Sequence, residues 1–190
     1  LFSALLDLIK PTTGEVLNNG INVRASEEWK SFTSAFLDES FLISYLMPEE
    51  YFYFVGELRN FSKKQVDEFL KQFEDLFNGE ILGGKKFIRD LSKGNQKKVG
   101  IVAALIGDPE VIILDEPFAN LDPTTQIRLK KIIKTLSQKV GVTVLVSSHD
   151  LQDVTEVSDR IVLLEKGLVI KDIKKTKKTL QDLETYFNKE

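Results

Sequence analysis

The sequence has no cysteine, which excludes disulfides, thiol nucleophiles and cysteine-ligated metal centres together. Its single histidine, His149, leaves too few imidazoles for a histidine-built zinc site. No apolar run approaches the roughly 18–20 residues that a membrane helix requires, and the apolar start lacks the basic region of a secretory leader. Charge of one sign is also missing: 26 Lys and Arg face 29 Asp and Glu, a net charge of -3. That balance indicates neither wholesale nucleic-acid binding nor a polybasic membrane anchor, and no nucleic-acid partner is expected. What is present suffices for a core. A chain of 190 residues, 42% of them hydrophobic, can bury roughly 70% of its unfolded surface in one domain with room for a subdomain.

The organising stretch is Val111-Ile112-Ile113-Leu114-Asp115-Glu116-Pro117. Four consecutive aliphatics ending in two acids read as a strand buried on both faces, in the middle of a parallel sheet. Asp115 and Glu116 then lie at its C-terminal tip, the edge where open α/β sheets bind ligands. Adjacent carboxylates there suit one holding a hard divalent cation and the other polarising a water. Taken alone, the run also has a plainer reading, a core strand that ends in a solvated acidic turn.

Other segments fall into place around it. Leu91-Ser92-Lys93-Gly94-Asn95-Gln96 precedes a helix expected from about Gln96 to Ile106. A hydroxyl, a glycine and a helix N-terminus together make an anion site, although Ser-Lys-Gly in isolation is a commonplace cap. After Ala119-Asn120-Leu121-Asp122 comes a helix expected over 124–139, with Ile127, Ile132, Ile133 and Leu136 facing the sheet. Val142 to Val146 reads as a second fully buried strand, which delivers Ser147-Ser148-His149-Asp150 to the same edge as Asp115.

The flanking segments read more simply. Leu1 to Ile9 is apolar almost all round and reads as a buried helix. Glu15–Leu17 and Ile21–Val23 read as short antiparallel strands around the turn signal Asn18-Asn19-Gly20, and Ser26 as the cap of a short helix. Phe32 to Phe36 reads as a strand. Glu49 to Asn60 reads as a helix whose four successive rings, Tyr51 to Phe54, cannot all point one way. A further helix opens at Ser62 and carries an apolar stripe from Val66 to Phe77, stopped by Asn78-Gly79. At the end come helix 151–157, strands 161–164 and 168–170, a solvated basic connector from Lys171 to Lys178, and a helix near 180–187.

In their order and spacing, these motifs resemble the ATP-binding subunit of ABC transporters, nearly end to end. The resemblance implies an α/β fold: a P-loop NTPase (RecA-like) core with a mostly parallel sheet, an antiparallel β edge and a small α-helical subdomain. Residues 1–37 and 96–190 would form the core, and 38–95 the helical subdomain ending in the signature motif. By the same resemblance, Glu116 and His149 are catalytic, and Asp115 holds Mg²⁺ through water beside ATP. Leu91, Ser92, Lys93, Gly94, Asn95 and Gln96 form the signature motif that closes over a partner's ATP, and Ala119, Asn120, Leu121 and Asp122 form the D-loop. The implied partners are a second ATP-binding subunit, identical or not, and transmembrane permease subunits contacting Phe41 to Phe54. The implied location is cytoplasmic, peripheral on the inner face of the cell membrane. Asp38 stands where the family's Q-loop carries Gln, or Glu in some exporters. It is shorter than Glu and charged where Gln is neutral, which points to a water-bridged contact with Mg²⁺, or else to a plain solvated loop acid. With Lys93 at the first signature glycine, it gives a likeness to exporters of the ABC-2 type.

The sequence contains no G-x-x-x-x-G-K-[ST], the phosphate cradle of this class. In the family, that loop comes just before the segment at Leu1, so the expectation is that it lies among residues preceding this sequence. The other readings are a degenerate, non-hydrolysing regulatory cassette, and a non-transport ABC ATPase of DNA repair or translation. The latter would carry long coiled-coil insertions, and the 38–91 span has no heptads.

Overall fold

A computed structural model describes residues 1–187. It begins with a single helical turn, α1 (Phe2–Leu5), none of whose residues is buried. The expected buried helix through Ile9 therefore does not form. Asp7 adopts a left-handed conformation, φ 54°, and Leu8 and Ile9 are exposed beyond it. Asn19 and Gly20, both at positive φ, make the tight turn between the antiparallel strands β1 (Leu17–Asn18) and β2 (Ile21–Asn22). In place of the expected short α-helix there is one 3-10 turn, Glu28–Ser31, with Trp29 buried and its Nε1–H donating to the Val23 carbonyl at 3.0 Å. Glu27, not the expected Ser26, holds the cap position of that turn, and the Ser26 hydroxyl accepts only the Glu28 N–H at 3.1 Å.

After β3 (Thr33–Phe36) come three helices, α2 (Pro48–Leu58), α3 (Lys63–Leu70) and α4 (Glu74–Phe77). The ring run divides as helical geometry demands, Phe52 being fully buried and Phe54 exposed. Ser62 and Gln65 cap α3 reciprocally, and Asn78 at φ 53° stops α4. Val66, Leu70, Phe73, Leu76 and Phe77 form the expected core stripe.

The central helix is α5 (Lys93–Ala104), which starts three residues earlier than expected because Ser92, not a later residue, is its cap. Every residue from Gln96 to Ala104 is buried, Lys97 and Lys98 included. At Gly100 an added Cβ would lie 2.2 Å from the Phe36 ring, so only glycine lets α5 lie this close to β3.

The remaining elements are β4 (Val111–Leu114), α6 (Pro123–Ser137), β5 (Thr143–Val146), α7 (Leu151–Val157), β6 (Arg160–Glu165), β7 (Leu168–Lys174) and α8 (Thr179–Phe187). Three expectations change. α6 buries Thr125, Leu129 and Ile133, a four-residue repeat, whereas Ile127 is 68% exposed on the opposite side. β5 is not fully buried: Thr143 is exposed and Val144, Leu145 and Val146 are half-buried. Finally, Lys171 to Lys174 belong to β7 rather than to a connector, where Asp172 forms a forked ion pair with Arg160 of β6.

β3, β4 and β5 form a parallel sheet with β4 in the middle. Phe36, Leu114 and Val146 lie in register across it, so the residues that follow all three strands emerge at one edge. One hydrophobic cluster underlies both the helices and the sheet, joining Phe52, Phe77 and Val66 to Val99, Ile112 and Leu129.

Candidate active site at the carboxyl edge of the sheet

Register alone brings the predicted acids and the histidine together. Asp115 follows Leu114 directly, and its N–H continues the ladder to the Phe36 carbonyl at 2.9 Å. Ser147 follows Val146 in the neighbouring strand, where its N–H donates to the Leu114 carbonyl at 3.1 Å. The Ser147 hydroxyl then faces both acids: it donates to Asp115 Oδ1 and accepts the Glu116 N–H at 2.9 Å. Glu116 has left the strand and stands at φ 44°, a left-handed conformation that a non-glycine residue adopts only where its surroundings hold it. Its carboxylate Oε2 lies 3.0 Å from His149 Nδ1.

That contact sets the histidine's titration. The hydrogen bond to Glu116 and that carboxylate's charge raise the His149 pKa above its ordinary 6.5, with Asp150 and Asp153 adding to the effect. The imidazole is otherwise open to solvent, with its side chain 82% exposed. A solvent-facing imidazole beside a fixed carboxylate can meet a bound anion.

The donor set also decides which cation fits. Among the described residues, no group of three His, Asp or Glu side chains converges as a cage. Asp115, supported by Ser147, is a single hard oxygen donor at the edge. This fits Mg²⁺, which keeps much of its water and takes one or two carboxylates plus substrate phosphates, and does not fit a calcium or zinc cage.

Ser92 caps α5, its Oγ accepting the Asn95 N–H at 3.2 Å. Gln96 folds back so that its side-chain amide donates to the Leu91 carbonyl at 2.9 Å, and Lys93 Nζ reaches Gln96 Oε1 at 3.5 Å. Gly94 packs against the loop after β4: a Cβ there would meet the Asn120 carbonyl oxygen at 3.3 Å and Leu121 at 3.6 Å. In that loop Ala119 offers its carbonyl to Lys97, and Asn120 turns at φ 62°. Asp122 caps α6 through the Thr125 N–H at 3.0 Å and the Thr125 hydroxyl at 2.6 Å. The 91–96 and 119–122 segments are thus in direct contact.

Asp38 emerges from the same edge after β3. Its Oδ1 accepts the Ser40 N–H at 2.6 Å, capping a 3-10 turn over Glu39–Phe41. Hydrogen bonding to Ser40 is the main cause that holds its carboxyl below the usual range. The cap engages one oxygen of Asp38 with its own loop.

Three residues in this region have no role assigned from the sequence. Ser147 carries a signal, because a strand register that delivers His149 also delivers the residue at the tip. Glu39 and Lys97 carry none, since charges in a polar loop and at a helix start read as solvated.

A family model described as ABC transporter matches residues 1–119. The chain is 26% identical over 178 residues to a methionine import ATP-binding protein of Carboxydothermus hydrogenoformans, spanning 90% of this chain and 52% of that one. It is 31% identical over 181 residues to an energy-coupling factor transporter ATP-binding protein of Staphylococcus epidermidis, spanning 90% and 62%. The chain therefore spans about half to three fifths of the length of these relatives. Among solved structures, it matches a dimeric, post-hydrolysis ATP-binding cassette bound to ADP and Pi with TM-score 0.74 and 25% identity, over 88% of this chain and 75% of that one. It matches an ATP-binding subunit of an ABC transporter with TM-score 0.78 and 25% identity, over 98% and 75%. The fold is accordingly the α/β, P-loop NTPase type expected. Two of the relatives carry import in their names, the methionine protein above and a molybdate/tungstate import ATP-binding protein of Pyrococcus abyssi, 28% identical over 170 residues that span 90% of this chain and 49% of that one. They lend the exporter expectation no support.

Proposed function

Because the chain belongs to the ABC transporter family, we propose that it is the ATP-binding and ATP-hydrolysing part of a transporter subunit. The single observation that carries this is the convergence of Asp115, Glu116, Ser147 and His149 at the tips of neighbouring parallel strands. The reaction is transfer of the terminal phosphoryl group of ATP to water, a process that depends on positioning and on charge stabilisation rather than on covalent chemistry by the protein.

Each residue has a task in this reading. Asp115 would hold Mg²⁺, which would supply charge neutralisation on the phosphates. Glu116 orients the attacking water and takes its proton. His149, poised by Glu116, contacts the transferring phosphoryl group. Asp38 reaches the same region through water. Leu91 to Gln96, with the Ser92 hydroxyl and the N-terminus of α5, close over the ATP of a second subunit, and Ala119 to Asp122 lie between the two sites.

The same proposal divides the chain into an ATP-binding core, residues 1–37 and 96–190, and a helical subdomain, 38–95. Permease subunits dock on 41–54, where Phe41, Tyr45 and Phe54 are exposed at 58%, 65% and 43%. Such an assembly lies on the cytoplasmic face of the membrane, and no described helix is long and apolar enough to cross it. The exporter likeness rests on Lys93 and Asp38 alone.

The test is phosphate release from ATP by the full natural chain with Mg²⁺. Turnover that rises with protein concentration as dimers form is expected. ATP binding without any turnover would favour the regulatory cassette instead.

A further inference from the structure

A buried charge beside the site belongs to a residue to which the proposed reaction gives no task. Lys97 lies in the second turn of α5, and its side chain is 7% exposed. Its ammonium donates to the carbonyl of Glu116 at 2.8 Å and to that of Ala119 at 3.0 Å. The remaining direction faces Glu39 Oε1 at 3.9 Å, the nearest counter-charge in its surroundings. Burying an ammonium costs free energy unless it is paired and hydrogen-bonded. Burial accordingly lowers the Lys97 pKa, while Glu39, Glu116 and Asp115 oppose the shift.

Both carbonyls belong to one tight turn. Glu116 stands in the left-handed region at its start, and a residue there needs something to hold it. Three hydrogen bonds hold the Glu116 backbone: the Ser147 hydroxyl takes its N–H, and its carbonyl accepts both the Lys97 ammonium at 2.8 Å and the Ala119 N–H at 3.3 Å, the ammonium being the shorter of the two. The ammonium also reaches three residues on, to the Ala119 carbonyl. With the peptide fixed at both ends, the side chain points to His149.

We propose that Lys97 is a positioning residue for hydrolysis, fixing the 116–119 turn so that the Glu116 carboxylate is aimed into the site. This rests on the ATPase reading, with Glu116 as the group that takes the water's proton. Lys97 itself touches neither water nor phosphate. Its contribution is to orientation, where a displacement of about 1 Å costs on the order of a hundredfold in rate.

The test uses the full natural chain with two substitutions. Lys97→Met keeps the length and apolar stem without a donor, and Lys97→Gln restores a donor without the charge. Lys97→Met should lower kcat by about tenfold or more while KM for ATP stays within about threefold, the signature of an interaction needed in the transition state. Lys97→Gln should recover part of that loss. A second readout does not depend on turnover. His149 is the only histidine, so its titration is followed by NMR without nucleotide or metal. Glu116, Asp150 and Asp153 are the charged groups that act on it. Losing the Lys97 charge alone would raise the His149 pKa, whereas losing the aim of Glu116 lowers it toward 6.5.

A fall in both kcat and His149 pKa, partly reversed in Lys97→Gln, supports the assignment. Wild-type kcat in Lys97→Met, or a raised His149 pKa, overturns it. If Lys97→Met does not fold, intermediate values in Lys97→Gln support the role and wild-type values refute it. A wild-type chain that binds ATP without hydrolysing it would defeat the ATPase reading, while the His149 titration would still decide whether Lys97 aims Glu116.

Discussion

His149 Nδ1 lies 3.0 Å from Glu116 Oε2, across 33 residues of sequence. The contact exists because β4 and β5 are parallel and in register, Leu114 opposite Val146. It joins the acid assigned to water with the imidazole assigned to phosphate, and it yields a pH signature. The His149 pKa is raised first by that hydrogen bond and then by the charge on Glu116. A raised folded-state value means that the contact stabilises the fold fully below the unfolded value of about 6.5, and that this contribution is lost as pH rises through the higher folded value. An NMR titration should place the imidazole above 6.5, and Glu116→Gln should bring it back toward that value.

Ser147→Ala removes the hydroxyl that serves Asp115 and the Glu116 N–H together. Both partners lose a hydrogen bond at a half-buried edge, where each loss costs about 1 kcal/mol. The expected result is a lower denaturation midpoint together with a weaker response of phosphate release to Mg²⁺, because Asp115 is no longer oriented. Ser147→Thr, which keeps the hydroxyl, should retain most of both.

Gly100→Ala sets two effects against each other. Helix propensity favours alanine by about 1 kcal/mol. The new methyl, however, would sit 2.2 Å from the ring of Phe36, a residue only 3% exposed and enclosed by the core. Overpacking of this kind costs about 1–3 kcal/mol, so a net loss of up to about 2 kcal/mol is expected in chemical denaturation. Phe36→Leu in the same chain should recover part of that loss by giving the methyl room.

Arg59, just after α2, holds the helical region onto the sheet without a carboxylate partner among the described residues. Its guanidinium donates to the carbonyls of Lys30, Ser31 and Thr33 and to the Ser34 hydroxyl, all between 2.7 and 2.9 Å. A lysine ammonium cannot reproduce that fork. Arg59→Lys should destabilise by about 1–2 kcal/mol and Arg59→Met by about 2–4 kcal/mol, measured as denaturant midpoints. Equal stability of all three proteins would show that the clamp contributes nothing.

Much of this site was legible from strand logic alone. Val111 to Leu114 is fully buried in mid-sheet, so an unbroken aliphatic run matched its surroundings. Ser62, Asp122 and Asn78 also behave as their chemistry suggests, because caps act on their own few neighbours. The misreadings came where local pattern says nothing about what lies across from it. Val142 to Val146 is as aliphatic as β4, yet among the described residues β5 pairs only with β4 and its strand residues are half-buried or exposed. In α6, counting isoleucines selected Ile127, while the repeat through Thr125, Leu129 and Ile133 gives the true buried face. Lys97 was invisible because its burial depends on two backbone carbonyls about 20 residues away, and no side-chain pattern announces them.

The central claim is that Glu116 takes the proton of the water that attacks ATP. Its most direct test is single-turnover phosphate release by the full natural chain and by its Glu116→Gln variant, with ATP binding followed in parallel. With Glu116 as the base, the variant keeps ATP binding unchanged and its rate falls by roughly a hundredfold or more, in the range expected for removing a general base. A Glu116→Gln protein that releases phosphate at the wild-type rate would contradict the claim.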